Sequence, residues 1–154
     1  MGKKQAASDS RCKSSGNLKA SHFSHDADIG VRGVGPSIEA AFEQAALAMA
    51  AVITDPATIA PRQAIPVECY APNAELLLVA WLNAIVFEMA VRGMLFSSFK
   101  VHIDGHRLRG TAAGEPLSVE RHSPAVEVKG ATLTELAVVE DRPGEWRAQC
   151  VVDV

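Results

Sequence analysis

The apolar residues of this chain change period part-way along, and few folds accommodate both periods. Residues Ile38, Phe42, Ala45, Ala46, Met49, Val52 and Ile53 recur at the 3.6 spacing that builds one helix face. Ser37 stands before them as an N-cap, Glu39 falls in the positive first turn, and Thr54-Asp55-Pro56 stops the run. A second helix is predicted from about Ala74 to Val91, capped by Asn73 after Pro72 and closed by Gly93. Beyond Gly93 the period falls to 2. Phe99-Lys100-Val101-His102-Ile103 alternates, Asp104-Gly105 has the chemistry of a type I′ hairpin turn, and His106 to Gly110 runs back. Other strands are predicted at about Ile65 to Tyr70, Val126 to Ala131, Leu133 to Glu140 and Trp146 to Val154. One opening strand runs from near His22 to the Gly33-Val34-Gly35-Pro36 break. The order β-α-β-α-β-β-β-β gives an α+β domain, a mostly antiparallel sheet or sandwich with two packed helices.

The two helices read differently. Alanines crowd the first, which implies close packing against a sheet. The second is apolar nearly all round and reads as the central buried helix. Its apolar run, Leu76 to Phe87, is broken by Asn83 and bounded by Glu75 and Glu88, which reads as too short to span a bilayer.

The 154 residues suit one domain. Residues 1–20 are polar, with little to bury, and are expected to be a disordered leader before a folded domain at 21–154. A net charge of −3 argues against holding nucleic acid by phosphate neutralisation. Cys12, Cys69 and Cys150 are odd in number and form no CxxC pair, which suits a reducing compartment and supplies no zinc or disulfide framework. With no apolar signal segment at the start, the expectation is a cytoplasmic protein without a membrane role.

Nucleophilic and nucleotide signatures are absent: there is no GxSxG elbow, no P-loop and no dinucleotide fingerprint. His102 and His106 have H-x3-H spacing, but a turn separates them, so they do not read as a metal pair. Carboxylates remain. Ser24 to Gly35 holds His25, Asp26, Asp28 and three glycines, and in a strand Asp26 and Asp28 share a face. Such neighbours repel unless a cation or a donor sits between them, so either a hard cation or a capped turn would satisfy them. At the other end, Asp153 and Val154 set a side-chain carboxylate beside an α-carboxylate.

Taken together these stretches resemble a known family. His25-Asp26-Ala27-Asp28-Ile29-Gly30 is similar to the His-Thr-Ala-Asp-Ile-Gly opening of the archeases. Ile38 to Glu43, Ala45 to Met49, Trp81-Leu82-Asn83, Gly114-Glu115, Arg121-His122, Val128-Lys129, Gly144-Glu145-Trp146 and Asp153-Val154 follow in the family's order. The resemblance spans about His22 to Val154 and implies small strand-helix-strand-strand modules. It further implies an accessory protein, not an enzyme: a monomer that promotes guanylylation and multiple turnover of the RtcB-type GTP-dependent RNA ligase of tRNA splicing and RNA repair. RNA would be met only through the ligase. The implied metal ligands are Asp28, Asp153 and Val154, holding calcium, manganese or magnesium. Lys129 is the implied activation lysine, and His25 stands beside the metal or faces the partner. Two departures are plain: Asp26 replaces the usual Thr, and Leu133-Thr134 stand where the family commonly has Tyr-His. Two other readings of the carboxylates and layers are a metal-dependent hydrolase using the same Asp pair and a small-molecule binding module.

Overall fold

The opening stretch folds back on itself. The computed structural model describes residues 18–25 and 28–154, with only the backbone of residues 22–25. In it, β1 (Lys19–His25) and β2 (Asp28–Gly35) form an antiparallel hairpin in register from Lys19↔Val34 to His25↔Asp28. The one opening strand expected near His22 is therefore two. Strand structure begins at Lys19 because that residue and Ala20 already pair with β2; Asp26 and residues 1–17 of the leader lie outside the described residues.

β2 is followed by α1 (Ile38–Ile53), whose N-cap is Ser37, its side chain accepting from Ala40 N–H at 3.1 Å. A Cβ on Gly33 would lie 2.2 Å from both Ala41 O and Ala45 N, so the bare glycine is what lets α1 settle on β2. Ala41, Phe42, Ala45, Ala46, Ala48 and Met49 are all buried, and α1 is the interior helix of the fold. After a 3-10 turn at Pro56–Thr58 come β3 (Gln63–Tyr70) and α2 (Ala74–Arg92). Asn73 caps α2 through a 2.8 Å bond from Leu76 N–H, and Gly93, at φ 63°, ends it in the left-handed conformation.

Then follow β4 (Met94–Asp104), β5 (Arg107–Pro116), a short α3 (Val119–His122), β6 (Gly130–Ala131), β7 (Ala137–Arg142) and β8 (Glu145–Asp153). All pairings are antiparallel. One sheet has the order β1-β2-β8-β6, with β7 also on β8; the other has the order β3-β5-β4. The α+β class, both long helices and a tight hairpin between β4 and β5 stand as the sequence predicts. The turn falls one residue later: Asp104 still pairs with Arg107, so the turn residues are Gly105 and His106. Of these Gly105 alone has a positive φ, 64°, so the turn is not the type I′ expected of Asp104-Gly105.

Further expectations change. The strand predicted from Leu133 to Glu140 starts only at Ala137, as β7, because the chain first turns through Glu135, whose φ is 53°. The strand predicted from Val126 to Ala131 shrinks to Gly130–Ala131, because the chain entering it is tied to the end of α1, Ala125 N–H donating to Ile53 O at 2.7 Å, and meets β8 only from Lys129 onward. The polar crossover carrying Arg121 and His122 contains the short helix α3. Most consequentially, α2 is not buried all round. Leu77, Leu78, Trp81, Leu82 and Ile85 enter the core, while Phe87 and Val91 are 61% and 60% exposed, since α2 covers the three-stranded sheet from outside. At 19 residues α2 is long and apolar enough, by length and composition, to cross a membrane, contrary to the shorter run read from sequence. Its buried stripe gives it a core role here. Trp81 fixes the layers to one another: its indole N–H donates to Phe42 O at 3.1 Å, and its ring meets Phe99 edge-on at 6.2 Å.

Candidate functional site

Strand register brings the two ends of the chain together. β2 and β8 pair from Gly35↔Trp146 to Ile29↔Val152, and the next step along both strands sets Asp28 across from Asp153. His25 pairs with Asp28 on one side, and Asp153 pairs with Gly130 on the other. A row His25–Asp28–Asp153–Gly130 thus crosses four strands at one end of the five-stranded sheet. Lys129 adjoins it, donating its backbone N–H to Asp153 O at 2.7 Å. The side chain of His25 and all of Asp26 lie outside the described residues.

Alternation decides which face carries the acids. Val31 is buried in the core and Gly33 abuts α1, so the odd-numbered positions of β2 face inward. Asp28 and Arg32 belong to the opposite face, as do their cross-strand partners Asp153 and Gln149 on β8. Asp28 is half-buried, Asp153 exposed and Val154 half-buried. Further along this face Arg32 Nε donates to Gln149 Oε1 at 3.0 Å, and Arg147 Nη1 donates to the same oxygen at 2.8 Å. Arg147 also grips Asp141 with two bonds of 2.8 and 3.1 Å, which holds that carboxyl below its usual range. Burial and the neighbouring Arg147 lower the pKa of Arg32.

Would these residues suit a metal? Facing residues of an antiparallel pair have Cβ atoms about 4.5–5.5 Å apart, close enough for both carboxylates to reach one ion. Two aspartates and a chain-terminal carboxylate are hard oxygen donors, the set that calcium, magnesium and manganese take. Among the described residues no three His, Cys, Asp or Glu side chains gather as a ready-made cage. Two aspartates leave the rest of a coordination shell to other oxygen donors, such as backbone carbonyls, a carboxylate nearby or water. The set fits a hard divalent cation.

Sequence reasoning passed over two features. Asn83, the polar break in α2, points at β6: its Oδ1 accepts from Ala131 N–H at 2.8 Å, and its Nδ2 lies 3.5 Å from Ala131 O. The interruption itself was the available signal. The second is a buried network. Glu115 on β5 accepts from Ala60 N–H and from His122 Nε2, both at 2.9 Å, and meets Arg121 at 2.9 Å. His122 Nδ1 accepts from Ser118 N–H at 2.9 Å, so the ring proton sits on Nε2 and is donated to Glu115. This network pins the segment leading to Lys129; it is remote in sequence from the aspartates, and spacing alone does not connect them. Burial pushes the thiols of Cys69 and Cys150 up to about 11 and about 12, away from the thiolate form.

Comparison with known proteins decides the lineage. The sequence profile of the Archease protein family matches residues 21–154. This chain belongs to the archease family. It is 38% identical over 137 residues to the archease of Pyrococcus furiosus, covering 86% of this chain and 96% of that one. The archease of Thermococcus gammatolerans is 36% identical over the same shares. Among solved archease-like structures, the solution structure of Methanobacterium thermoautotrophicum protein 1598 superposes with a TM-score of 0.76 at 35% identity, covering 86% of this chain and 96% of that one. An archease from Thermotoga maritima, described as a possible chaperone, shares the fold at a TM-score of 0.57 and 15% identity, over 95% of this chain and all of that one.

Proposed function

We propose that this archease is an accessory protein of an RtcB-type RNA ligase, favouring guanylylation of the ligase and its repeated turnover without catalysing a reaction itself. The observation that carries the reading is the row His25–Asp28–Asp153–Gly130 with Lys129 beside it, on a chain of this family. Rigid strands, not loops, carry every member of that row, so the acidic tip is presented as one preformed unit.

Asp28, Asp153 and the Val154 α-carboxylate would hold a calcium, manganese or magnesium ion. When bound, the ion supplies positive charge that offsets the repulsion among these acids and can meet anionic groups of the partner. Lys129 adds a cation that needs no metal. Its side chain is exposed, while its backbone is held by Asp153, so the ammonium is free to reach outward from a fixed base. A net charge of −3 leaves RNA to the ligase.

The test is ligation with the ligase limiting. Many products per ligase are expected in the presence of this protein and about one in its absence; equal turnover by the ligase alone would refute the proposal. A second reading has one observation in its favour. A cleft of about 540 Å³, walled by Met89, Met94, Leu117 and Val126 and reaching Lys129, has the size of a small-molecule site. Stabilisation by metabolites that survives Asp28→Ala would support that binding module instead.

A further inference from the structure

We infer that Asn83 is a positioning residue for the Lys129 end of the site: its carboxamide takes the place of a missing neighbour strand and fixes β6 against β8. The inference rests on the accessory function proposed above for its consequence, though not for its geometry. β6 is two residues long and lies at the edge of its sheet. Its ladder holds Gly130 against Asp153 and Ala131 against Val152, and Lys129 and Thr132 on either side also bond to β8. On the outer side of Ala131, however, no strand stands among the described residues, and the pairing is open to fraying.

In an antiparallel ladder the N–H and C=O of one residue point to the same side. Those of Ala131 point outward, away from β8, where an edge strand would meet water. Asn83 Oδ1 takes the N–H at 2.8 Å, and its Nδ2 faces the C=O at 3.5 Å, which is how a peptide of a further strand would stand. Only a carboxamide offers both polarities at this reach. Asn83 rises from the exposed flank of α2, one residue beyond the buried Leu82, so its backbone is anchored in the core.

A second feature fits the clamp. A Cβ on Gly130 would lie 3.1 Å from Asn83 Oδ1, so the bare glycine leaves the carboxamide room to close on the strand. The neighbouring Lys129 donates its backbone N–H to Asp153 O, so a clamp on β6 also steadies this lysine beside the acids.

The experiment compares the intact chain with Asn83→Ala and Asn83→Asp. Amide exchange read by NMR should show protection of Ala131 and Lys129 falling about tenfold in Asn83→Ala, with core amides of α1 unchanged. Asn83→Asp keeps the acceptor and should hold Ala131 protection within about threefold of the parent. Manganese affinity, governed by β2 and β8, should change less than about threefold in Asn83→Ala, while multiple-turnover stimulation of the ligase falls about tenfold. Unchanged protection in Asn83→Ala, or equal loss in Asn83→Asp, overturns the clamp. A parallel loss of thermal stability, metal affinity and stimulation overturns the positioning role in favour of a merely structural one. If the parent protein stimulates no ligase, the functional proposal has failed, and the exchange data still decide the clamp.

Discussion

His122 donates its Nε2 proton to Glu115 Oε2 at 2.9 Å where both side chains are buried, and the tautomer is fixed by Ser118 N–H on the other nitrogen. Glu115 gains from its bond to Ala60 N–H, then from His122 and from Arg121, and together these lower its pKa from 4.5 to about 2. The sign of the consequence follows. A carboxyl with a depressed folded pKa contributes stability that is complete above about 4.5 and fades as pH falls toward about 2. Glu115→Gln should therefore be less stable than the parent at pH 6, and the two should converge near pH 2–3. Denaturant titrations at both pH values check this; a constant difference would mean the ionised form of Glu115 is not what stabilises.

Gly33→Ala should be among the most damaging single-methyl changes. Its Cβ would fall 2.2 Å from backbone atoms of Ala41 and Ala45, which cannot swing aside as a side chain would. Helix α1 must shift off the sheet, at a cost of at least about 2 kcal/mol. The melting temperature measures it. Gly144→Ala is the contrasting control, because there a Cβ meets nothing within 4 Å and only the φ of 77° is strained.

Glu43 blocks a sheet edge. Its Oε2 accepts from Val101 N–H at 2.9 Å, and Glu39 one turn earlier reaches Ile103 N–H at 3.4 Å, so α1 covers the open side of β4. Partial burial raises the pKa of Glu43, and the bond to Val101 opposes that shift. Glu43→Ala leaves the edge N–H without its acceptor, a loss of about 1–3 kcal/mol. It also bares a strand able to pair with another copy. Lower denaturant midpoint and earlier elution on size exclusion are the expected readouts; an unchanged monomer of unchanged stability would show that α1 covers the edge without these bonds.

What sequence could reach depended on range. Local signals placed Ser37, Asn73, Gly93 and, to within one residue, the hairpin turn at Gly105-His106, since caps and turns are decided within a few residues. Val126 to Ala131 has strand composition, yet it pairs at only two residues, and strand composition does not say where along a stretch a neighbouring strand lies. The all-round apolar pattern of α2 suggested full burial, and the pattern could not say which flank meets solvent. The neighbourhood of Asp28 and Asp153 came from family likeness. Their alignment across β2 and β8 is a matter of register, which one strand alone does not encode.

The terminal carboxylate supplies the last prediction. If Asp28, Asp153 and the Val154 carboxylate hold one ion, each is one of three anionic donors, and losing any of them should weaken cation binding by about tenfold or more. Asp28→Asn and Asp153→Asn remove a charge with little change of shape. Extending the chain beyond Val154 turns its carboxylate into a neutral amide. None of the three replaces a buried side chain, and the extension leaves the Val154 side chain, which packs against the core, in place, so thermal stability without metal should stay within about 1 kcal/mol of the parent. Relief of acid–acid repulsion could even raise it slightly. Because all three act on the same ion, combining an aspartate change with the extension should cost less than the sum of the separate losses, whereas independent sites would add. Calorimetric titration with calcium and with manganese on the parent, the single changes and the combination measures this directly. Full affinity in the extended chain would remove Val154 from the site and leave the two aspartates to bind with water alone.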